Sequence, residues 1–275
     1  MHQTSTVIFC ATDTIVPLRG KGPAGFEEFG AKLDHAGIPM VWVTSRSRLQ
    51  VDEPRRRFGH QHPFIAEDGC GVYLPEDYFH VRPSKTTRLG RFTCIPIAEA
   101  LPAAADALES LSEDTGVETV PLHSLAPREL EQNMELPVRE AELARQRDFD
   151  ELFFFAGATQ ADVNRFLAEA EKRKVAVRQH GVLWSLAIGA SLSQCIRELS
   201  KLYDRALRSH PVVLGIATPA EGDGFLSACD RGLLLTKPSD SEVQSAEPRS
   251  AKARLLPLNA PDLWDQVLHG VTSRG

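Results

Sequence analysis

A carboxylate just past the end of a buried strand can move a proton or hold a cation, and Asp13 has that placement. The run Val7-Ile8-Phe9-Cys10-Ala11 is continuously apolar and carries β-branched residues, the pattern of a strand buried on both faces, and it leads straight into Thr12-Asp13-Thr14. The position from which such a strand would display a nucleophile is Ala11, whose methyl group has no nucleophilic atom. A second polar group, Thr44-Ser45-Arg46-Ser47, closes the apolar run Ile38-Pro39-Met40-Val41-Trp42-Val43; hydroxyls, a guanidinium and the first N–H groups of a helix can together hold an anion. Ser45 and Asp13 have bland readings too, as a helix N-cap and as a turn cap. His60-Gln61-His62 offers two imidazoles with no third ligand nearby, too few for a metal site. Arg55-Arg56-Arg57 reads as a solvated helix face, and Arg46 and Arg48 have the same bland reading.

The elements that must position these groups alternate. Residues 7–11, 38–43 and 64–66 read as strands, and Phe26, Phe29 and Leu33 recur at helical spacing before Gly37, a helix stop. A helix begins at about Ser47. Strand–helix–strand order with apolar strands predicts a doubly wound parallel sheet, an α/β Rossmann-like core. Near residue 83 the character changes. Helices are expected over 97–112 and 126–147, a strand over 151–155, a helix capped by Thr159, and antiparallel strands at 175–177 and 183–186. This is an inserted α+β cap, set at residues 84–187, with 1–83 and 188–275 as the core. The core pattern resumes with a helix through Cys195 and Leu207, strands at 211–216 and 232–235, and a helix at 263–268; residues 237–252, rich in Ser, Pro, Glu and Lys, read as a loop.

With 275 residues, the chain has room for one large core or two modest domains. A net charge of −6 disfavours nucleic acid or an anionic membrane as partner. Five scattered cysteines, with no C-x-x-C pair, imply reduced thiols and a cytoplasmic protein. No signal peptide and no membrane span are expected.

Several stretches resemble the haloacid dehalogenase-like superfamily of phosphohydrolases with a large α/β cap, and within it the mannosyl-3-phosphoglycerate phosphatase family. Gly37-Ile38-Pro39 before Val43-Thr44-Ser45-Arg46 is similar to that family's second motif. Pro63-Phe64-Ile65-Ala66-Glu67-Asp68-Gly69, followed by Tyr73-Leu74-Pro75 and Tyr78-Phe79, resembles another of its segments. The stretch from Glu142 to Glu151 resembles part of its cap, and that from Asp230 to Pro238 its closing strand.

The resemblance implies an aspartate nucleophile, a second aspartate two residues on as acid/base, a hydroxyl and a lysine on the phosphate, and acidic residues holding Mg²⁺. Carried over, the nucleophile falls on Ala11 and the acid/base on Asp13. The hydroxyl is retained at Ser45, with Thr44 before it. The lysine becomes Leu192, with Gln194 replacing a second family lysine, and the metal positions become Thr218 and Gly222. Arg46, Arg145, Gln146 and Arg147 are implied substrate contacts. The expectation is a degenerate phosphatase that binds a phosphorylated sugar acid or a protein partner and needs no cofactor. Two alternatives stand beside it. One is an active Mg²⁺ enzyme with displaced ligands Asp13, Glu221 and Asp223; the other is an interaction scaffold with a vestigial cleft.

Overall fold

Ile8 and Cys10 point to one side of the first strand and Val7, Phe9 and Ala11 to the other, and both sides are buried in separate apolar clusters. That alternation inside a wholly apolar run makes it the central strand of a sheet covered on both faces. In the computed structural model, which describes residues 5–17, 21–81, 83–134, 137–219, 225–236 and 253–272, this strand is β1 (Thr6–Ala11). It lies between β2 (Met40–Val43) and β11 (Val212–Ala217), parallel to both, with Ala11 opposite Val43 and Cys10 opposite Ile216.

The sheet extends from β2 to β3 (Phe64–Ala66), and from β11 to β12 (Arg231–Thr236) and β13 (Ala253–Pro257), all parallel. The order β13-β12-β11-β1-β2-β3 reverses direction between β1 and β11, the topological switch point where open α/β sheets bind ligands at the carboxyl ends of their strands. Helices α1 (Phe26–His35) and α8 (Leu263–Thr272) cover one face, through Phe26, Phe29, Leu33, Trp264 and Val267. Helix α7 (Leu192–Leu207) covers the other, through Cys195, Ile196, Leu199, Leu202 and Tyr203. Helix α2 (Arg48–Arg57) starts at Ser47, whose side chain forms a capping box with Gln50, so Ser47 and not Ser45 is the N-cap.

The same sheet continues past β3 with β4 (Gly71–Leu74), β6 (Phe92–Pro96) and β5 (Thr87–Leu89), each antiparallel to its neighbour. Residues 87–89 and 92–96 are therefore strands of the nine-stranded sheet, beyond the cap boundary expected at residue 84. A second sheet of four antiparallel strands, in the order β7-β8-β10-β9, is built from β7 (Thr119–Pro121), β8 (Glu151–Phe155), β9 (Val175–His180) and β10 (Leu183–Ile188). Helices α3 (Leu101–Thr115) and α6 (Gln160–Lys172) pack on it through Leu108, Leu111, Phe153, Phe166 and Leu186. The capping box of Thr159 and Asp162 starts α6, as the sequence predicts. Helices α4 (Pro127–Met134) and α5 (Val138–Arg145) belong to the other face, around Leu122, Leu130, Ala141 and Leu152.

All five cysteines are buried thiols. Among the described residues no helix is long and apolar enough to cross a membrane. The Arg55-Arg56-Arg57 run is not all solvated: Arg55 is buried against the rings of Phe64 and Phe92 and donates to His60 Nδ1 and the carbonyl of His62.

Candidate active site

The sheet delivers Ala11 to a cleft at the switch point. Ala11 is buried, with its Cβ the whole side chain, and it lines the cleft with Asp13, Val43, Thr44 and Ser45. The chain turns there because Thr12 N–H and its hydroxyl both donate to the carbonyl of Val43, at 2.9 and 3.2 Å.

Asp13 is held from three sides. Its Oδ1 accepts a hydrogen bond from the Thr44 hydroxyl, its Oδ2 accepts from Ser45 N–H at 2.7 Å, and Arg46 Nε lies 3.6 Å from Oδ1. These are charge-assisted bonds that fix the carboxylate against the second loop. Arg46 itself is spent on this loop: Nη1 donates to the carbonyl of Val16 at 2.6 Å and Nη2 to that of Asp13 at 3.0 Å. It is a brace behind Asp13 and does not line the cleft.

The opposite wall belongs to α7 and to the second sheet. Ser191 caps α7 by accepting from Gln194 N–H, and Leu192 is the first helical residue. A lysine there would bring charge to the cleft; Leu192 lines the cleft with an apolar side chain and packs on the apolar cluster beneath α7. From β9, Arg178, Gln179 and His180 reach the cleft. Arg178 Nη1 donates to the Asp68 carbonyl at 2.7 Å and lies 3.6 Å from Oδ1; His180 Nε2 is 2.8 Å from Asp68 Oδ2. Burial works against the His180 imidazolium, but the hydrogen bond and charge of Asp68 outweigh it and hold its pKa above the ordinary range. Burial likewise pushes the Asp68 carboxyl up, and His180 and Arg178 more than cancel that, leaving it below its ordinary range.

The three expected cap contacts lie elsewhere. Arg147 is buried, ion-paired with Asp150 (Nη2 to Oδ2, 2.7 Å), and donates to the Ser45 carbonyl at 2.7 Å, so it holds the loop from behind. Arg145 pairs with Glu142 and donates to the carbonyl of Leu125, and Gln146 donates to the carbonyl of Glu142. None of the three lines the cleft. Sequence reasoning did not single out Asp68, Arg178, Gln179 and His180. The available signal was the switch from Val175-Ala176-Val177 to polar residues within one strand, where Arg178 and His180 share a face.

A Mg²⁺ ion wants a near-octahedral set of oxygens. The described carboxylates lining the cleft are Asp13, whose oxygens already accept two hydrogen bonds, and Asp68 on the opposite wall, paired with His180. Thr218 contributes a hydroxyl 3.5 Å from that of Thr14. These residues do not fit the ion. Glu221, Gly222 and Asp223 lie outside the described residues, as does the 237–252 loop.

A Rossmann-like core, an antiparallel cap and a cleft at the end of the first strand define the haloacid dehalogenase-like architecture. Comparison with solved structures agrees. A haloacid dehalogenase subclass IIB sugar phosphatase, BT4131, superposes with a TM-score of 0.62 at 12% identity, over 98% of this chain and 100% of that one. The Thermoplasma acidophilum 0175 protein gives 0.64 at 12% identity, over 98% and 99%. No family model matches the chain. It is 23% identical over 204 residues to the glucosyl-3-phosphoglycerate/mannosyl-3-phosphoglycerate phosphatase of Methanococcoides burtonii, covering 73% of each protein. It is 23% identical over 207 residues to the Persephonella marina protein of the same name, covering 74% of each. The chain is haloacid dehalogenase-like in fold and mannosyl-3-phosphoglycerate phosphatase-like in sequence.

Proposed function

We propose that this phosphatase-like protein keeps a ligand-binding cleft but has given up aspartyl-phosphate chemistry, serving as a binding or regulatory protein. The end of β1 carries the reading. Attack on a phosphoryl group needs a nucleophilic atom and cationic charge around the transferred oxygens. The first position is the methyl of Ala11, and the family's lysine position is Leu192, packed on the apolar cluster beneath α7. Losing one preorganised transition-state donor typically costs ~10²–10³ in rate, and here nucleophile and cation are lost together. Asp13 is retained as a fixed carboxylate that organises the Thr44-Ser45-Arg46 loop.

The cleft itself is not closed over. It holds about 540 Å³, and polar groups from both walls face it beside apolar ones such as Val43, Leu192 and Phe225, the mixture that ligand pockets carry, which favours ligand binding over a vestigial cleft on a scaffold. The relatives are named for glucosyl- and mannosyl-3-phosphoglycerate, and the ligand class proposed here is a glycosylated acid of that kind.

The test is phosphate release from mannosyl-3-phosphoglycerate and from p-nitrophenyl phosphate with millimolar Mg²⁺. The expected result is no release above the blank. Turnover that disappears in Asp13→Asn would overturn the proposal and favour the displaced-ligand enzyme.

A further inference from the structure

Arg55 is a buried cation with no anion paired to it. It is 3% exposed. Its Nε donates to His60 Nδ1 at 3.0 Å and its Nη2 to the carbonyl of His62 at 2.6 Å, both uncharged acceptors. His60 is neutral: its Nδ1 accepts, its Nε2 lies 2.7 Å from the Met40 carbonyl, and burial with the charge of Arg55 holds its pKa well below the ordinary range. Among the described residues Arg55 Nη1 has no hydrogen-bond partner, and the nearby carboxylate of Asp52 pairs instead with Arg56 and Arg91. The rings of Phe64 and Phe92, centred 4.5 and 5.2 Å from its Cζ, return only part of what burying a lone charge costs. Burial and then the charge of Arg91 bring its pKa down to about 10, against the pull of Asp52, so Arg55 stays charged at neutral pH.

This guanidinium lines a cavity of about 350 Å³ between the C-terminal end of α2 and the turn that leads into β6. Arg56 and Arg91 line it as well, both exposed, and share the single carboxylate of Asp52. The carboxylate on the wall, Glu76, is engaged by Arg88 at 3.1 Å. A helix end favours cations, which accounts for Arg56. It does not account for a guanidinium turned inward beside two others that repel it. Arg55 contributes one uncompensated charge, and Arg56 with Arg91 a second, since Asp52 offsets one of the two. The cavity shares no residue with the cleft at the end of β1, and α2, ten residues and so about 15 Å long, runs from one to the other.

We infer that this cavity is a second ligand site, which binds the doubly charged phosphoryl group of a small molecule between Arg55, Arg56 and Arg91. Guanidinium forks match the oxygens of a phosphoryl group, whose charge of about −1.5 to −2 at neutral pH equals the surplus on the wall; a lone carboxylate supplies half of it. The volume suits a phosphoryl group with a few attached atoms. The inference does not depend on whether the cleft at Ala11 turns over.

Calorimetry on the full chain with inorganic phosphate, glycerol 3-phosphate and acetate tests it. Phosphate or glycerol 3-phosphate is expected to bind at least tenfold more tightly than acetate, and the tighter of the two tells free phosphate from a phosphomonoester as the source. Arg55→Met should weaken that binding at least tenfold, and Arg56→Gln and Arg91→Gln at least threefold each. Arg178→Gln, on the cleft, should leave it within twofold. Thermal melts check folding; if Arg55→Met does not fold, the two exposed positions still decide. No binding of either phosphate compound at 10 mM would overturn the inference, as would acetate binding equally well. Binding lost in Arg178→Gln but kept in Arg56→Gln and Arg91→Gln would place the anion in the cleft and overturn it too.

Discussion

Ala11 isolates what one residue can and cannot do. Ala11→Asp restores a carboxylate at the end of β1, but Leu192 still leaves the start of α7 without the family's lysine. We expect no measurable phosphate release from p-nitrophenyl phosphate. The new carboxylate also enters a position 4% exposed, two residues before Asp13, whose oxygens each already accept a hydrogen bond. Burying a poorly paired polar group there should cost roughly 1–3 kcal/mol in urea unfolding. Appreciable turnover in this single variant would show that the remaining wall is competent. Ala11, Asp13, Ser45 and Leu192 were legible because each lies at the end of an element whose periodicity is plain. Arg145, Gln146 and Arg147 do not line the cleft: Arg145 and Gln146 turn back on Glu142 within one helical turn, and Arg147 is placed by a partner 102 residues away. Arg147 finds the Ser45 carbonyl, and no local pattern announces that contact.

At the scale of elements, the joint between the core and the start of α7 is made by a three-residue turn. Glu67, Asp68 and Gly69 all have positive φ, at 52°, 53° and 91°. The Gly69 carbonyl accepts from Ser191 N–H at 3.0 Å, and a Cβ at Gly69 would stand 2.6 Å from Leu192 N. Gly69→Ala combines left-handed strain with a backbone clash, so it should destabilise by about 1–3 kcal/mol or more. Urea unfolding would measure this; a loss below about 0.5 kcal/mol, the scale of an ordinary surface substitution, would mean that α7 shifts freely. The contact of this turn with α7, more than a hundred residues later, is not written in any local pattern. Strand β5 was missed because it is the edge of its sheet: Thr87 and Arg88 are exposed and carry no apolar alternation. Strand β13 was missed because its buried residue, Leu256, stands among more exposed neighbours in a strand paired on one side.

Across the whole molecule, core and cap are tied by a buried polar knot. The Glu67 carboxylate, fully buried, accepts from the N–H groups of Asp148, Phe149 and Asp150 at 2.9–3.1 Å. Arg48 pairs with Asp148 at 3.0 Å, and the Tyr73 hydroxyl donates to the same carboxylate at 2.8 Å. Burial and the charge of Asp150 push Glu67 up from the usual 4.5 to about 8, against the pull of Arg147 and the Asp148 N–H. The folded chain therefore holds this proton more tightly than the unfolded chain. The stability it contributes is full below pH 4.5 and is lost as pH rises towards about 8. His180, whose pKa is also raised by folding, adds a loss of the same sign above its unfolded value. Urea unfolding from pH 5 to pH 8 should show stability falling by on the order of a few kcal/mol. Glu67→Gln imitates the protonated acid and removes its titration, so its curve should be distinctly flatter. Parallel curves for the two proteins would mean that Glu67 stays ionised throughout, with its three backbone N–H donors sufficient to hold the charge inside the joint.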